Sequence, residues 1–247
     1  MKFKKNMFLL KTLLITILII GCSRDNSKKP ETMSTKKYRP AFHFTPDENW
    51  MNDPNGPFYD EVSGMYHLFY QYNPSGYNWG NMSWAHVVSP DMLTWTELPV
   101  ALLPDQDYDK NGVFSGSVFV EEGVPIIYYT CVNGQDEQLQ CQANPLDDKL
   151  YINWTKDERN PIISGPPVGG NKEFRDPFIF VDATTEESKV IAIVAAQQYE
   201  YGTVAKYERK GGDWEYIGSL WSTLQSPNTD AASENMVECP DFFPLQG

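Results

Sequence analysis

Cationic residues are scarce in this 247-residue sequence: 20 Lys and Arg stand against 33 Asp and Glu, which gives a formal net charge of −13. Phosphate backbones repel a chain this acidic, so the composition argues against nucleic acid as a partner. Anionic lipid headgroups repel it in the same way, which argues against binding to a membrane surface by charge. A neutral small-molecule substrate is compatible with this composition.

Histidine and cysteine are also few, with 3 and 4 residues respectively. The histidines show no spacing typical of metal ligands, and no CxxC or mixed Cys/His motif indicates zinc, so the sequence predicts no metal site. His67 lies in an apolar strand pattern that favours a place in the core. Cys131 and Cys141 flank a predicted hairpin turn and could face each other, but their spacing does not decide whether they form a disulfide bond.

No apolar run reaches the roughly 20 residues that a membrane-spanning helix needs. Three lysines precede the short apolar run Met7–Ile20, and Gly21 follows it. We interpret residues 1–21 as a lipoprotein signal peptide and Cys22 as the lipidated first residue of the mature chain, the alternative being an uncleaved anchor. The polar residues 22–37 are predicted to form a flexible tether. In either case we expect an exported chain that faces the periplasm or the cell exterior.

A helical hydrophobic period is absent after residue 38. Apolar runs of 5–8 residues, rich in aromatic and β-branched side chains, lie between turn residues such as Asn133-Gly134 and Gly211-Gly212. The chain has 18 Pro and 17 Gly to supply such turns. The sequence therefore predicts an all-β domain over residues 38–247, built of many short antiparallel strands.

Four similar stretches recur along this domain: WMNDPNG, VFSGS, EFRDPF and VECPDF. Their polar residues Asp53, Ser115, Asp176 and Glu238 are separated by 62, 61 and 62 residues. A constant period of this length fits one four-stranded blade of a β-propeller. Because equivalent positions of successive blades face one axis, we expect these four residues to meet in a single funnel.

Three carboxylates at one axis suggest glycoside hydrolysis, which needs one ionised carboxylate and one protonated acid. Polar turn groups around Asp53 predict an ionised side chain, as a nucleophile requires. Apolar residues near Glu238 predict a raised pKa, as a general acid requires. Asp176 follows Arg175 and is expected to stay ionised and to hold substrate hydroxyl groups. Taken singly, each of these residues would be read as a turn Asp or a solvated Glu.

An ordered set of motifs gives the sequence a family resemblance. The motifs are WMNDPNG (50–56), LFYQYNP (68–74), FSGS (114–117), RDP (175–177) and ECPDF (238–242). From about residue 38 to its end, the chain resembles glycoside hydrolase family 32, the β-fructofuranosidases, which include invertases, levanases and inulinases. The resemblance implies a five-bladed β-propeller, a retaining mechanism, and sucrose or a fructan as substrate, with no metal or organic cofactor.

The resemblance also implies roles for individual residues. Asp53 would be the nucleophile, Glu238 the acid/base, and Asp176 a residue that stabilises the transition state. The matching substrate-binding positions are Trp50, Asn52, Gln71, Trp79, Phe114, Ser115 and Arg175. One departure is Val237, because many family members have Trp directly before the acid/base Glu.

The chain ends nine residues after Glu238. We therefore expect a propeller that is truncated in the fourth blade and lacks the C-terminal β-sandwich usual in the family. Since an open propeller exposes unpaired strand edges, we expect the chain alone to be unstable or weakly active. The alternative function is that of an inactive remnant or a fructan-binding surface lipoprotein. The sequence does not distinguish sucrose from levan or inulin, nor endo from exo action.

Overall fold

Twelve strands and one short 3-10 turn follow one another along the described part of the chain. The computed structural model describes residues 40, 43–146, 149–184, 186–225 and 236–244. The predicted signal peptide (1–21), the lipidation site Cys22 and the tether (22–37) lie outside the described residues. Among those described, no helix has the length and apolar character required to cross a bilayer.

The strands form three antiparallel sheets of four strands each. The first sheet contains β1 (Trp50–Asp60), β2 (Met65–Asn73), β3 (Ser83–Ser89) and β4 (Thr96–Leu102). The second contains β5 (Gly112–Glu121), β6 (Val124–Val132), β7 (Gln138–Pro145) and β8 (Trp154–Lys156). The third contains β9 (Gly170–Asp182), β10 (Lys189–Gln198), β11 (Tyr201–Lys210) and β12 (Asp213–Ser222), followed by the 3-10 turn Thr223–Gln225.

Each sheet is a meander in which neighbours in sequence are neighbours in space. Tight turns make this possible. Glu122 and Gly123, both with positive φ, join β5 to β6, and Gly211 and Gly212, with φ of 60° and 98°, join β11 to β12. Two-residue turns with positive φ match the twist of antiparallel strands, which is why glycine is favoured in them. The predicted turn at Gly211-Gly212 is confirmed.

The first strands of the three sheets lie side by side, β1 against β5 and β5 against β9. This arrangement of successive four-stranded sheets around one axis is the β-propeller that the sequence predicted, and each blade corresponds to one period of about 62 residues. Residues 236–244 do not continue it as a strand. Pro240 and Pro244 lack the N–H group that a ladder needs, and Phe242 packs on Phe180 of β9 with ring centroids 4.9 Å apart.

The core lies between adjacent sheets. Phe69 and Trp84 of the first sheet are fully buried against Val113 and Tyr129 of the second. Between the second and third sheets, another cluster packs residues such as Tyr128 and Phe174 together. Burial of each such side chain contributes about 1.5–3 kcal/mol, so packing between the sheets is the main interaction that stabilises the propeller.

A disulfide bond links Cys131 on β6 to Cys141 on β7, with the Cα atoms 5.9 Å apart. The register pairs Cys131 with Leu139 and Tyr129 with Cys141, so the two cysteines are diagonal neighbours across the strand pair. Diagonal neighbours on one face of a sheet are close enough for their side chains to meet. The structure thus settles a pairing that the sequence left open.

Candidate active site

A cavity of about 300 Å³ opens where the first strands of the three sheets meet the segment around Glu238. Its lining includes nine of the ten predicted catalytic and substrate-binding residues. The lining residues are Asn52, Asp53, Gln71, Trp79, Phe114, Ser115, Gln138, Glu173, Arg175, Asp176 and Glu238. The predicted convergence of Asp53, Ser115, Asp176 and Glu238 is therefore observed.

A break in strand register accompanies each functional residue of an inner strand. On β1 the pairing with β2 shifts between Met51 and Pro54, on either side of Asp53. On β5 it shifts between Phe114 and Gly116, on either side of Ser115. Such bulges re-aim a side chain out of the regular alternation of a strand. The bulges explain why Asp53 and Ser115 can point into the cavity although other residues of the same strands pack in the core.

The third inner strand repeats this device. The pairing of β9 with β10 shifts between Arg175 and Phe178, a stretch that contains Asp176. Asp176 has a φ of 63°, in the left-handed region that few non-glycine residues occupy. The repeat in sequence thus coincides with a repeated break in the pairing of β1, β5 and β9, whereas the positive φ is found at Asp176 and not at Asp53 or Ser115.

Gly116 of the FSGS motif has a steric reason. A Cβ at this position would lie 2.1 Å from the carbonyl oxygen of Tyr128. Only glycine permits the close approach of β5 to β6 at the bulge. The Gly116 N–H also donates to Asn55 Oδ1 at 3.2 Å, which joins the second sheet to the first beside the site.

Asp53 is oriented by a hydroxyl group from the neighbouring sheet. Ser115 Oγ donates to Asp53 Oδ2 at 2.7 Å. A hydrogen bond to an ionised carboxylate is stronger than one between neutral groups and fixes the direction of the acceptor. Ser115 is therefore best understood as the residue that holds Asp53 in place.

Asp176 is buried, with 5% of its surface exposed. Burial raises its pKa to about 6, against the lowering effects of the Cys239 N–H and of Arg175, while the charges of Glu238 and Asp53 raise it further. The Cys239 N–H donates to Asp176 Oδ2 at 2.9 Å. Asp176 thus ionises near pH 6 and is ionised at neutral pH as expected, although Arg175 only partly offsets the effect of burial.

Arg175 directs its guanidinium group to glutamates. Its Nε and Nη2 donate to Glu238 Oε1 at 3.1 and 2.9 Å, and its Nη1 contacts Glu173 Oε2. Nη1 also donates to Gln138 Oε1 at 3.2 Å. Three groups therefore fix the guanidinium, and it in turn fixes the carboxylate of Glu238.

The expectation that apolar residues surround Glu238 is wrong. Its side chain is 64% exposed and paired with Arg175. The neighbouring Val237 packs instead against Phe178 and Phe180 of the third sheet. Val237 thereby attaches the Glu238 segment to the third sheet.

Aromatic rings form one wall of the cavity. Trp79 and Phe114 meet edge to face, with centroids 5.7 Å apart and an interplanar angle of 75°. Trp84 Nε1 donates to the Phe114 carbonyl at 2.9 Å, which fixes the backbone under this wall. Trp79 remains 58% exposed, so an aromatic surface is available to the C–H face of a sugar.

Amide side chains supply polar groups on another wall. Gln71 is buried, and its Nε2 donates to the Val113 carbonyl at 2.9 Å. Asn52 Oδ1 accepts from Trp50 Nε1 at 2.9 Å. Trp50 is the one predicted site residue outside the cavity lining, and its role in the structure is to orient Asn52.

Three residues at the site were not predicted from the sequence. Glu173 lies two positions before Arg175 and could have been found from that spacing, whereas Gln138 carries no motif. Cys239 lies with its Sγ 3.6 Å from Asp176 Oδ2 and 4.0 Å from Asp53 Oδ2. Burial and the nearby charges of Asp176 and Asp53 raise the pKa of this thiol, so it is neutral at pH 7.

The histidines take no part in this site. His67 is fully buried and stacks on Phe58 with centroids 4.6 Å apart, which confirms the predicted core position. Its Nδ1 lies 3.0 Å from His86 Nε2. Within the described part of the chain, no group of three or more His, Cys, Asp or Glu residues is arranged to hold a metal ion.

Comparison with known proteins places this geometry in a family. The model of the glycosyl hydrolases family 32 N-terminal domain matches residues 43–247. A sucrose:sucrose 1-fructosyltransferase from Festuca arundinacea is 52% identical over 214 residues, which are 85% of this chain and 32% of that protein. An acid β-fructofuranosidase from Vigna radiata var. radiata is 40% identical over 211 residues, or 84% of this chain and 31% of the relative.

Solved structures agree with the sequence relatives. A variant of fructan 1-exohydrolase IIa from Cichorium intybus, in complex with 1-kestose, superposes with a TM-score of 0.74 at 33% identity, over 83% of this chain and 37% of that one. A Bombyx mori β-fructofuranosidase variant in complex with sucrose gives 0.68 at 31% identity, over 85% and 42%. This chain spans about a third of the length of the curated relatives it matches. The chain belongs to glycoside hydrolase family 32.

Proposed function

We propose that this chain's site cleaves β-fructofuranosidic bonds in sucrose or fructans with retention of configuration. The observation that carries the proposal is the meeting of Asp53, Asp176 and Glu238 in one cavity, in a chain of glycoside hydrolase family 32. Retaining glycosidases use two carboxyl groups, one as nucleophile and one as acid and base.

In the first step, the Asp53 carboxylate attacks the anomeric carbon of the fructosyl unit. Glu238 gives its proton to the glycosidic oxygen, the bond to the leaving group breaks, and a fructosyl ester forms on Asp53. In the second step, Glu238 removes a proton from water, the water oxygen attacks the anomeric carbon, and fructose and the free Asp53 carboxylate result. The Ser115 hydroxyl, 2.7 Å from Asp53 Oδ2, would keep the attacking carboxylate oriented.

Arg175 would have two states in this cycle. It pairs with Glu238 before substrate binds, at 2.9 Å from Oε1. When Glu238 is protonated for the first step, Arg175 is free to donate to a hydroxyl group of the substrate. Asp176 would accept from fructose hydroxyls and favour the positive charge that develops on the ring, since its carboxylate is ionised at neutral pH.

The relatives support the substrate class. The Cichorium intybus enzyme was solved with 1-kestose and the Bombyx mori enzyme with sucrose. Both ligands carry a terminal β-fructofuranosyl unit on a different leaving group. We therefore propose that the cavity binds the fructosyl unit. The experiment below identifies the leaving group.

Fructosyl transfer is a second candidate, favoured by the 52% identity to a sucrose:sucrose 1-fructosyltransferase. The first step is the same. In the second, the hydroxyl group of another sugar replaces water, and Glu238 removes its proton. Hydrolysis of sucrose yields glucose and fructose in equal amounts, whereas transfer yields glucose in excess of fructose.

The test is to incubate the purified chain with sucrose, 1-kestose, levan and inulin and to measure glucose and fructose separately. We expect Glu238→Gln to lower the rate by about 10²–10⁴-fold, the usual contribution of a general acid, and Asp53→Asn to reduce it to background. The matched controls are the exposed residues Glu158→Gln and Asp107→Asn, which should retain the parent rate.

Each outcome of this test decides between the candidates. Equal glucose and fructose from sucrose supports hydrolysis, and an excess of glucose with new oligosaccharides supports transfer. Folded protein that binds these sugars without turnover would overturn catalysis by this chain and favour the fructan-binding alternative. Turnover that survives Asp53→Asn would contradict the assignment of the nucleophile.

We also propose that the chain is exported and attached to a membrane through lipid on Cys22. The signal-like segment before Cys22 supports this proposal. The Cys131–Cys141 bond is a second support, because disulfide bonds form and persist in oxidising compartments outside the cytoplasm.

A further inference from the structure

We propose that Thr130 and Gln140 of the second sheet are positioning residues that hold Asp176 in its working conformation, and that Gln138 does the same for Arg175. This inference rests on the proposed function, because it assigns Asp176 and Arg175 a place in the reaction. It concerns residues that no sequence motif singled out.

The two glutamines of β7 hold the backbone of one residue in the third sheet. Gln138 Oε1 accepts from the Phe174 N–H at 2.8 Å, and Gln140 Nε2 donates to the Phe174 carbonyl at 2.8 Å. Both polar groups of the Phe174 backbone are thus bonded to side chains of the neighbouring blade. These two hydrogen bonds fix the position of β9 relative to the second sheet at Phe174, two residues before Asp176.

Thr130 completes the connection. Its Oγ1 accepts from the Asp176 N–H at 2.8 Å and donates to Gln140 Oε1 at 3.0 Å. Three hydrogen bonds therefore connect Phe174 through Gln140 and Thr130 to Asp176, and the backbone of residues 174–176 closes the ring. All four residues are at most 5% exposed, so water is not available to replace a lost partner.

The conformation of Asp176 shows why such support is needed. Its φ of 63° is unfavourable for a residue with a Cβ and persists only where the surroundings impose it. This conformation brings Asp176 Oδ2 within 2.9 Å of the Cys239 N–H, directly beside Glu238. If the Thr130 hydroxyl is removed, the Asp176 N–H loses its partner and the backbone is free to relax, which moves the carboxylate.

Gln138, unlike Gln140, also contacts the side chain of Arg175. Its Oε1 also accepts from Arg175 Nη1 at 3.2 Å, and Arg175 in turn holds Glu238. The hairpin end of β7 is therefore connected to the guanidinium as well as to the backbone. The second sheet thus sets the position of residues from both the third sheet and the Glu238 segment.

Thr130→Val removes the hydroxyl group at constant shape, and Thr130→Ser retains it. We expect Thr130→Val to lower kcat by about 10–100-fold with a smaller change in KM, because small displacements of a catalytic group reduce the rate more than binding. Thr130→Ser should restore kcat to within about 3-fold of the parent. Rescue by serine would not occur if the methyl group of Thr130 were what mattered.

A matched control separates positioning from stability. Thr203 on β11 is equally buried, and its Oγ1 donates to the Trp221 carbonyl at 2.9 Å, but it makes no contact with Asp176. Thr203→Val should lower the melting temperature about as much as Thr130→Val and leave kcat unchanged. In the same way, kcat of Gln140→Met is compared with kcat of Gln142→Met. Gln142 lies on the same strand, and its Nε2 donates to Asp157 at 2.7 Å.

Hydrogen exchange does not require turnover, so it tests the role of Thr130 independently of the proposed function. Hydrogen exchange of the Asp176 amide should be at least about 10-fold faster in Thr130→Val than in Thr203→Val, since only the first removes its acceptor. If the parent chain turns over and kcat of Thr130→Val equals that of Thr203→Val, the inference is overturned. If the parent does not turn over, the proposed function fails, and equal exchange in the two variants would overturn this inference separately.

Discussion

Asp176 illustrates a conflict between stability and chemistry in a single side chain. Burial raises its pKa to about 6 from an ordinary 3.8. Between these two pH values the folded chain binds more protons than the unfolded chain, so folding is favoured at low pH. That contribution is lost as the pH rises through 6, and the ionised Asp176 then lowers the free energy of unfolding.

Asp176→Asn should therefore stabilise the folded chain at pH 7.5. Because one pKa unit corresponds to about 1.4 kcal/mol, the free energy of unfolding should rise by up to about 3 kcal/mol, and the gain should shrink as the pH falls towards 4. Thermal unfolding across this pH range measures the effect. Asp107→Asn removes the same charge from an exposed position and should change little. A gain that does not depend on pH would contradict the assignment to burial.

The inner strands show that one structural device was reused. β1, β5 and β9 each lose regular pairing where a functional residue stands. The bulge gives the side chain its direction, and the regular strand on either side gives it rigidity. The chemistry then depends on which polar residue occupies the bulge, with an aspartate in two strands and a serine in the other.

The connection between the first and second sheets is held by an ion cluster. Lys156 on β8 contacts Asp105 at 2.6 Å and the fully buried Asp109 at 2.5 Å. Asp109 also accepts from the Tyr129 hydroxyl at 3.1 Å and from the Gln106 N–H at 2.9 Å. The segment that leads into β5, and so to Ser115, is thereby fixed to the second sheet.

Lys156→Met should destabilise the chain by about 3 kcal/mol, because it leaves Asp109 buried without a counter-ion. Adding Asp109→Asn to this variant should recover part of the loss by removing the uncompensated charge. Urea unfolding measures both. The comparison variant is Lys189→Met, whose partly exposed pair with Glu208 at 3.2 Å should cost less than about 1 kcal/mol. Equal costs for the two lysines would show that burial of the pair is unimportant.

The molecule as a whole combines an acidic propeller, a disulfide bond and a signal-like N-terminal segment. These features support the proposals of a location outside the cytoplasm and of an uncharged substrate. Since anionic lipid headgroups repel a chain of net negative charge, the proposed attachment to a membrane would depend on the lipid alone.

Cys22→Ala should abolish lipid attachment, because the acceptor thiol is then missing. In a bacterial host labelled with a radioactive fatty acid, we expect label on the parent chain and none on Cys22→Ala. Cys239→Ser keeps Cys22 and should behave as the parent. Sedimentation of the parent chain with the membrane in the absence of label would instead indicate an uncleaved anchor.

Local pattern accounts for what could be predicted. Apolar alternation and turn residues indicated the strands, and the spacing of Asp53, Ser115, Asp176 and Glu238 indicated the repeat and the shared site. These inferences succeed because strand geometry depends on near neighbours, and because blades of similar architecture place equivalent positions at one axis. The family followed from the same motifs and is confirmed by the match over residues 43–247.

Contacts between blades decided the rest. The Asp176 N–H meets a hydroxyl 46 positions earlier in the chain, and Arg175 meets Glu238 63 positions later. Neighbours in sequence were therefore an incomplete guide. Burial outweighs Arg175 in setting the pKa of Asp176, and Val237 packs on the third sheet while Glu238 stays exposed. The motifs determined which residues form the site, but the tertiary structure determined their partners and the pKa of Asp176. The physical reason is that burial and hydrogen bonding depend on distance in space, which only the packing of one sheet against the next establishes.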